Sequence, residues 1–316
     1  MSERTGFPRG WFVVAWSSDL GPGGVRPLHY FDQHLVAFRT ESGEVRVLDA
    51  FCPHLGAHLG HGGKVEGESV VCPFHAWRFD GSGRCTGIPY ADKIPRQATV
   101  RAWEVVERNG AVFVWHDAAG GPPTWEVPLI ESYGDAGWTP WRQDCMQVKT
   151  HPREIVENVA DKAHFPIVHR TEVSRFVNEY EGHTATQRTT GVARPPQGGV
   201  DHFHIDATYF GPAFQISDMK GYLHSRLLLA HTPITERLLD LRFAVSLERS
   251  GPRSEQFAEF YAENLRLGFH EDLSIWENKV YRQVPRLCDG DGPVGRLRTW
   301  YRQFYEPVTA EATPAS

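Results

Sequence analysis

The 316 residues, 41% of them hydrophobic, are enough to bury a full core and to form two domains. A formal net charge of -6, with no basic stripe and no Lys/Arg run interleaved with aromatics, gives no reason to expect a nucleic-acid partner. The opening Met1-Ser2-Glu3-Arg4-Thr5-Gly6 lacks an apolar signal core and no apolar run could cross a bilayer, so a cytoplasmic protein without a membrane span is expected.

From Gly10 to Trp115 short apolar runs are punctuated by Gly, Pro and Asp, the texture of a small antiparallel β domain. The expected strands are Trp11–Ala15, His34–Arg39, Val45–Asp49, Ser69–Val71, Ala76–Phe79, Val100–Glu107 and Ala111–Trp115, with Asn109-Gly110 as a hairpin turn. Gly120-Gly121-Pro122-Pro123 marks a linker, which divides the chain into a domain over 1–118, a linker over 119–140 and a second domain over 141–316. In the second domain Pro152 suits the start of a Gly-free helix reaching Ala163. Alternating segments such as Phe203–Tyr209 and Leu239–Leu247 predict half-buried strands of one larger antiparallel sheet. A long helix over about Ser254 to Tyr281 follows, its apolar positions recurring at three and four, and then a frayed tail after Pro307. The fold class is α+β.

Five cysteines is an odd count, and four of the 16 histidines sit near the first two, which favours metal ligation over a disulfide framework. Cys52-Pro53-His54 and Cys72-Pro73-Phe74-His75 supply two thiolates and two imidazoles from two loops. That is the set a Rieske [2Fe–2S] centre needs, the Cys pair on one iron and the His pair on the other. Structural zinc also takes Cys₂His₂, but its usual patterns pair Cys with Cys and His with His, whereas each loop here gives one of each. With Trp77 and the Gly81-x-Gly83 turn, residues from Gly10 to Trp115 resemble the Rieske family. His58 and His61 are extra imidazoles, expected at the surface, and Cys85, Cys145 and Cys288 are expected to be ordinary thiols.

The helix from Pro152 would carry Asn158, Asp161 and His164 on one face. His164 and His169 are about 140° apart on an ideal helix, so they converge on one ion only if the helix breaks, and Pro166 is the expected breaker. Two His with a distant carboxylate form the facial triad of non-haem Fe(II) oxygenases. The run Asn158-x-x-Asp161-x-x-His164 with His169 resembles the catalytic motif of Rieske non-haem iron oxygenases. The resemblance implies that His164 and His169 bind a mononuclear Fe(II). It also implies that Asp161 bridges the sites, hydrogen-bonding His164 and reaching His75 of a neighbouring subunit. It implies a helix-grip-like catalytic domain, a homotrimer and a separate flavin-containing ferredoxin reductase drawing on NAD(P)H. For the third ligand the long helix offers Glu271, Asp272 and Glu277. Asp272 is chosen, one turn from Trp276 on the packed face, with Glu271 expected to point to solvent. Asn158 is a second-sphere amide or a substrate contact. His151, His202, His204, His224, His231 and His270 are expected to be solvated.

Glu181–Gln187 and the tail from Asp291 to Tyr305 resemble more narrowly the oxygenase components of 3-ketosteroid 9α-hydroxylases, and more loosely cholesterol 7-desaturase. Those relatives imply O₂-dependent hydroxylation of a C–H on a bulky, hydrophobic, steroid-like substrate. Two readings stay beside it: the same metal chemistry turned to desaturation, N-oxygenation or oxidative cyclisation, and an electron-transfer protein without mononuclear iron.

Overall fold

The computed structural model describes residues 6–193 and 199–305. The expected tail after Pro307 lies outside the described residues.

The N-terminal half is built from three small antiparallel sheets. β1 (Gly10–Trp16) pairs with β10 (Ala111–His116), which pairs with β9 (Val105–Arg108). The Asn109-Gly110 turn joins the last two, both residues at positive φ, as its hairpin type requires. β2 (Val25–Tyr30), β3 (Gln33–Arg39) and β4 (Val45–Asp49) form the second sheet. β5 (Lys64–Glu66), β6 (Ser69–Val71), β7 (Arg78–Asp80) and β8 (Cys85–Gly87) form the third. β2 escapes sequence patterning because Pro27 sits inside it, which is tolerated on an edge strand. The expected Ala76–Phe79 strand begins two residues later, because Ala76 takes φ 56 in the turn that closes its loop. The expected Val100–Glu107 strand is continuous only from Val105; its earlier part makes one isolated bridge, Ala102 with Leu48.

The C-terminal half is one seven-stranded antiparallel sheet in the order β11-β17-β16-β15-β14-β13-β12. Its strands are β11 (Arg142–Val148), β12 (Thr171–Glu181), β13 (Thr184–Ala193), β14 (Asp201–Phe210), β15 (Phe214–Lys220), β16 (His224–Thr235) and β17 (Leu238–Leu247). Between β11 and β12 lie α1 (Pro152–Val156), a 3₁₀ turn (Glu157–Ala160) and α2 (His164–Val168); α3 (Ser254–Trp276) and α4 (Val294–Arg302) follow the sheet. α3 lays Leu265, Phe269, Leu273 and Trp276 against Leu227, Leu229, Phe243 and Val245. It stops at Trp276, short of the expected Tyr281. The residues beyond are drawn into tertiary contacts instead: Lys279 pairs with Glu154 at 2.8 Å, and the Tyr281 ring carries the guanidiniums of Arg153 and Arg298.

The two halves share a core. Trp11, Phe113 and Trp115 pack with Phe214, Leu228 and Ala244. Tyr30 donates to Asp240 at 2.6 Å and accepts from Arg242 at 2.7 Å, a buried charged network across the join. The Gly/Pro-marked segment is likewise packed: Trp125 stacks on His183 and meets Trp115 and Phe304 edge-on.

Candidate metal centres

The first centre lies on two loops that repeat one geometry. In each, the Cys carbonyl accepts an N–H four residues on, from Gly56 or Ala76, and the Cys N–H donates to the next residue's carbonyl, of Ala57 or Trp77. Gly56 and Ala76 both have positive φ, which turns each loop back over its Cys. Cys52 and Cys72 are buried at 2% and 3% exposure. Burial pushes the Cys52 thiol up to about 11, and the adjacent Cys72 adds to the shift. The His54 and His75 rings lie 4.7 Å apart; His54 stacks on Trp77 at 4.6 Å and 9°. A buried Cys52 thiol that resists ionisation by itself, the equally buried Cys72, and a His75 Nδ1 that is buried without a hydrogen-bond partner form a donor set that a cationic cluster would satisfy. His58 and His61 are outside this set, in ring contact with each other at 4.4 Å.

The second centre sits between the α1–α2 segment and α3. His151 caps α1, its Nδ1 accepting the Arg153 N–H at 3.2 Å, and Pro152 takes the first helical position as expected. The expected single helix to Ala163 breaks at Asp161, which turns extended at ψ 99. Asp161 acts there as a cap: its Oδ1 accepts the His164 N–H at 3.2 Å, so α2 begins afresh. Pro166 then falls in the first turn of α2, where it does no harm, and is not the breaker. His164 opens α2 and His169 closes it, with ring centroids 5.2 Å apart.

His164 Nδ1 donates to the Asp161 carbonyl at 2.6 Å, which leaves Nε2 free. The Asp161 carboxylate is 3.9 Å from that ring and 42% exposed. From α3, Asp272 Oδ2 lies 3.5 Å from His169 Nε2. Two ligands at about 2.1 Å and right angles on one ion would be about 3 Å apart, so this pair needs little movement to share an ion. Among the described residues no trio of His, Cys, Asp or Glu is already closed to coordinating distance, so an ion would draw in a half-formed set. Burial lowers the pKa of His164, whereas Asp272 raises that of His169. A mostly buried carboxylate thus recruits positive charge to this point, and two imidazoles with one carboxylate fit Fe(II).

The surrounding structure fixes this segment from several sides. Asn158 Oδ1 accepts the Trp276 indole N–H at 3.3 Å, a tie to α3. Asn178 on β12 donates to the Val159 carbonyl at 2.6 Å, and Arg298 on α4 donates to Glu157 at 2.5 Å. A Cβ on Gly292 would lie 1.8 Å from the Ala160 carbonyl, so the chain before α4 seats there only as glycine. None of Asn178, Gly292 or Arg298 carries a sequence signal of its role. Glu271 does not point to solvent: its Oε2 accepts from His169 Nδ1 at 3.3 Å. His231 is not solvated either, at 0% exposed, and His151 is half-buried. His204 pairs with Asp206, and His224 with Asp218 and Glu248.

The comparisons with known proteins divide the chain along the same line. Residues 10–104 match the Rieske [2Fe-2S] domain, and 114–305 match the 3-ketosteroid 9alpha-hydroxylase C-terminal domain. The chain belongs to the 3-ketosteroid 9α-hydroxylase family of Rieske oxygenase components. Within it, a 3-ketosteroid-9-alpha-monooxygenase oxygenase component of Rhodococcus rhodochrous is 39% identical, over 98% of this chain and 85% of the relative. Cholesterol 7-desaturase nvd 1 of Ciona intestinalis is 31% identical, over 95% and 69%. A crystal structure of dicamba monooxygenase bound to dicamba shares the fold with a TM-score of 0.78 at 20% identity, covering 94% of this chain and 96% of that one. As a member of this family the chain is an oxygenase component, with a [2Fe–2S] cluster and non-haem iron as cofactors, and needs a separate reductase. No helix among the described residues is long and apolar enough to cross a membrane.

Proposed function

We propose that the chain hydroxylates a C–H of a steroid-like ketone, with Cys52, His54, Cys72 and His75 holding the cluster and His164, His169 and Asp272 holding the iron. The observation that carries this reading is the approach of His164, His169 and Asp272 to one another: the two rings lie 5.2 Å apart and Asp272 Oδ2 is 3.5 Å from His169 Nε2. When bound, the iron supplies reductive activation of O₂ next to the substrate, with electrons relayed by the cluster. The chain's own residues then have distinct tasks. Asp161 keeps His164 in the tautomer that offers Nε2, and its half-exposed carboxylate is free to meet His75 of a neighbouring subunit. Leu227 and Val245, which α3 covers, share a rung with Ser217, Ala207 and Gln187, so the apolar sheet face beside α3 carries a few buried polar groups. Gln187 donates to Thr189 at 2.6 Å and Gln215 to Ser217 at 2.7 Å, groups able to hydrogen-bond a carbonyl on an otherwise apolar body. A groove of about 350 Å³ between the first turns of α3 and strands β14 and β15 is lined by Phe203, Ile205, Met219, Phe257, Phe260 and Tyr261.

The active form in this reading is a head-to-tail homotrimer, working in the cytoplasm with a flavin reductase and NAD(P)H. Exposed Phe51, Leu55, Phe74 and Tyr90 around the cluster loops, and Ile167 at 79% exposure beside the iron segment, are the apolar surfaces such contacts would cover. The test is turnover with a surrogate reductase, NADH and a panel of ketosteroids, sterols and aromatic compounds under ¹⁸O₂. One labelled oxygen on a ketosteroid supports the reading. Loss of two hydrogens without label replaces it by desaturation, which the likeness to cholesterol 7-desaturase keeps as the second reading.

A further inference from the structure

The imidazole of His169 lies between two carboxylates from adjacent positions of α3. Asp272 Oδ2 is 3.5 Å from Nε2, and Glu271 Oε2 is 3.3 Å from Nδ1. Consecutive helical residues diverge by about 100°, so the two acids reach opposite edges of the ring. A single ion can take only one of those ring nitrogens. His164 has its Nδ1 engaged by the Asp161 carbonyl, and Asp272 is the buried acid at 7% exposure, which sets the ion on the Nε2 side. Glu271 is left on the far edge, and Arg170 holds it there: Nη1 lies 3.5 Å from Glu271 Oε1. Arg170 follows His169 directly and has φ 54, a conformation uncommon for a long side chain, at the turn from α2 towards β12.

We propose that Glu271 is a positioning residue for the mononuclear iron, acting through His169, with Arg170 holding its carboxylate in place. This rests on the reading of His164, His169 and Asp272 as ligands. A carboxylate that accepts the Nδ1–H fixes the ring's tautomer and orientation and makes Nε2 a stronger donor to a metal. Neutral Gln in its place would keep an acceptor but lose the charge; Ala would lose both.

The experiment compares the full-length protein with its E271A, E271Q, R170A and D272A variants after anaerobic Fe(II) loading. Iron retained per cluster is measured against a competing chelator, and the cluster's visible and EPR spectra serve as the folding control. E271A is expected to weaken Fe(II) binding by about 10- to 100-fold with the cluster unchanged. E271Q and R170A should fall between it and the unaltered protein, and D272A should lose the iron. Iron affinity in E271A within about two-fold of the unaltered protein would overturn the proposal. So would affinity in E271Q equal to that of E271A, because a positioning acceptor is partly replaced by an amide. If E271A does not fold, E271Q and R170A carry the comparison, and unchanged affinity in both overturns it. Stoichiometric iron retained by D272A, with iron lost from E271A and E271Q, would instead defeat the underlying ligand reading and make Glu271 itself the ligand.

Discussion

At the scale of single residues the two acids near the iron segment separate into different duties. Asp272 touches His169 Nε2, whereas Asp161 meets His164 through its backbone carbonyl and keeps its carboxylate half exposed. Replacing Asp272 by Ala should therefore remove the mononuclear iron and spare the cluster, read as the iron-to-cluster ratio and the EPR signal. Replacing Asp161 by Asn, which keeps an acceptor for the His164 N–H, should keep both metals and abolish turnover; coupled product formation in that variant would defeat the bridge. The residues that the motifs nominate as ligands, Cys52, His54, Cys72, His75, His164 and His169, can be picked out from sequence because metal coordination admits few residue types. Glu271 is not legible in the same way. An acid next to a ligand acid looks solvated until the fold sets an imidazole and Arg170 beside it.

Buried histidines give a prediction at the same scale. Burial lowers His231 to about 3 and His151 to about 3, from a usual value of 6.5. Between those values the unfolded chain binds protons that the folded chain excludes. Stability should thus be fully present above about pH 6.5 and fall as pH drops towards 3, with a slope of about 1.4 kcal/mol per pH unit for each histidine. His231→Phe should flatten the acid limb of the melting temperature against pH, and an unchanged slope would show that His231 takes its proton in the folded state.

At the scale of elements, the α1–α2 segment shows how a locally plausible helix is overruled. Its Gly-free run predicts one helix, and Pro166 looks like the breaker. The break falls instead at Asp161, whose side chain satisfies the His164 N–H better as a cap than as an interior helical residue. The cap restarts the chain direction and lets two histidines five apart face each other. The segment is kept in place by contacts from β12, α3 and α4, and Gly292 is the tightest point. Gly292→Ala would drive a methyl into the Ala160 carbonyl, so the loop before α4 must lift. The expected outcome is loss of the mononuclear iron, with the cluster spectrum preserved and melting lowered, because Ala160 directly precedes Asp161. Retained iron in that variant would show that the tail is not part of the support.

At the scale of the whole molecule, the proposed ring makes a sharp prediction. A Cys72→Ser subunit would lack the cluster and an Asp272→Ala subunit would lack the iron, and each alone should be inactive. Mixed and reassembled, they should recover a substantial fraction of turnover, since the cluster of one subunit would serve the iron of the next. Activity absent from the mixture, in trimers shown to be mixed by co-purification through a different affinity tag on each variant, would place electron transfer within a subunit. What the sequence determined by itself was the chemistry and the class: ligand spacing allows few alternatives, and alternating apolar positions predict a sheet whose face must be buried. The tertiary structure decided where the chain breaks, which edge strands form, that Trp125 packs within the segment the Gly/Pro pattern marks as a linker, and which acid faces which side of His169. The last of these depends on a contact between residues about a hundred positions apart, His169 with Glu271, and local propensity carries no record of such a partner.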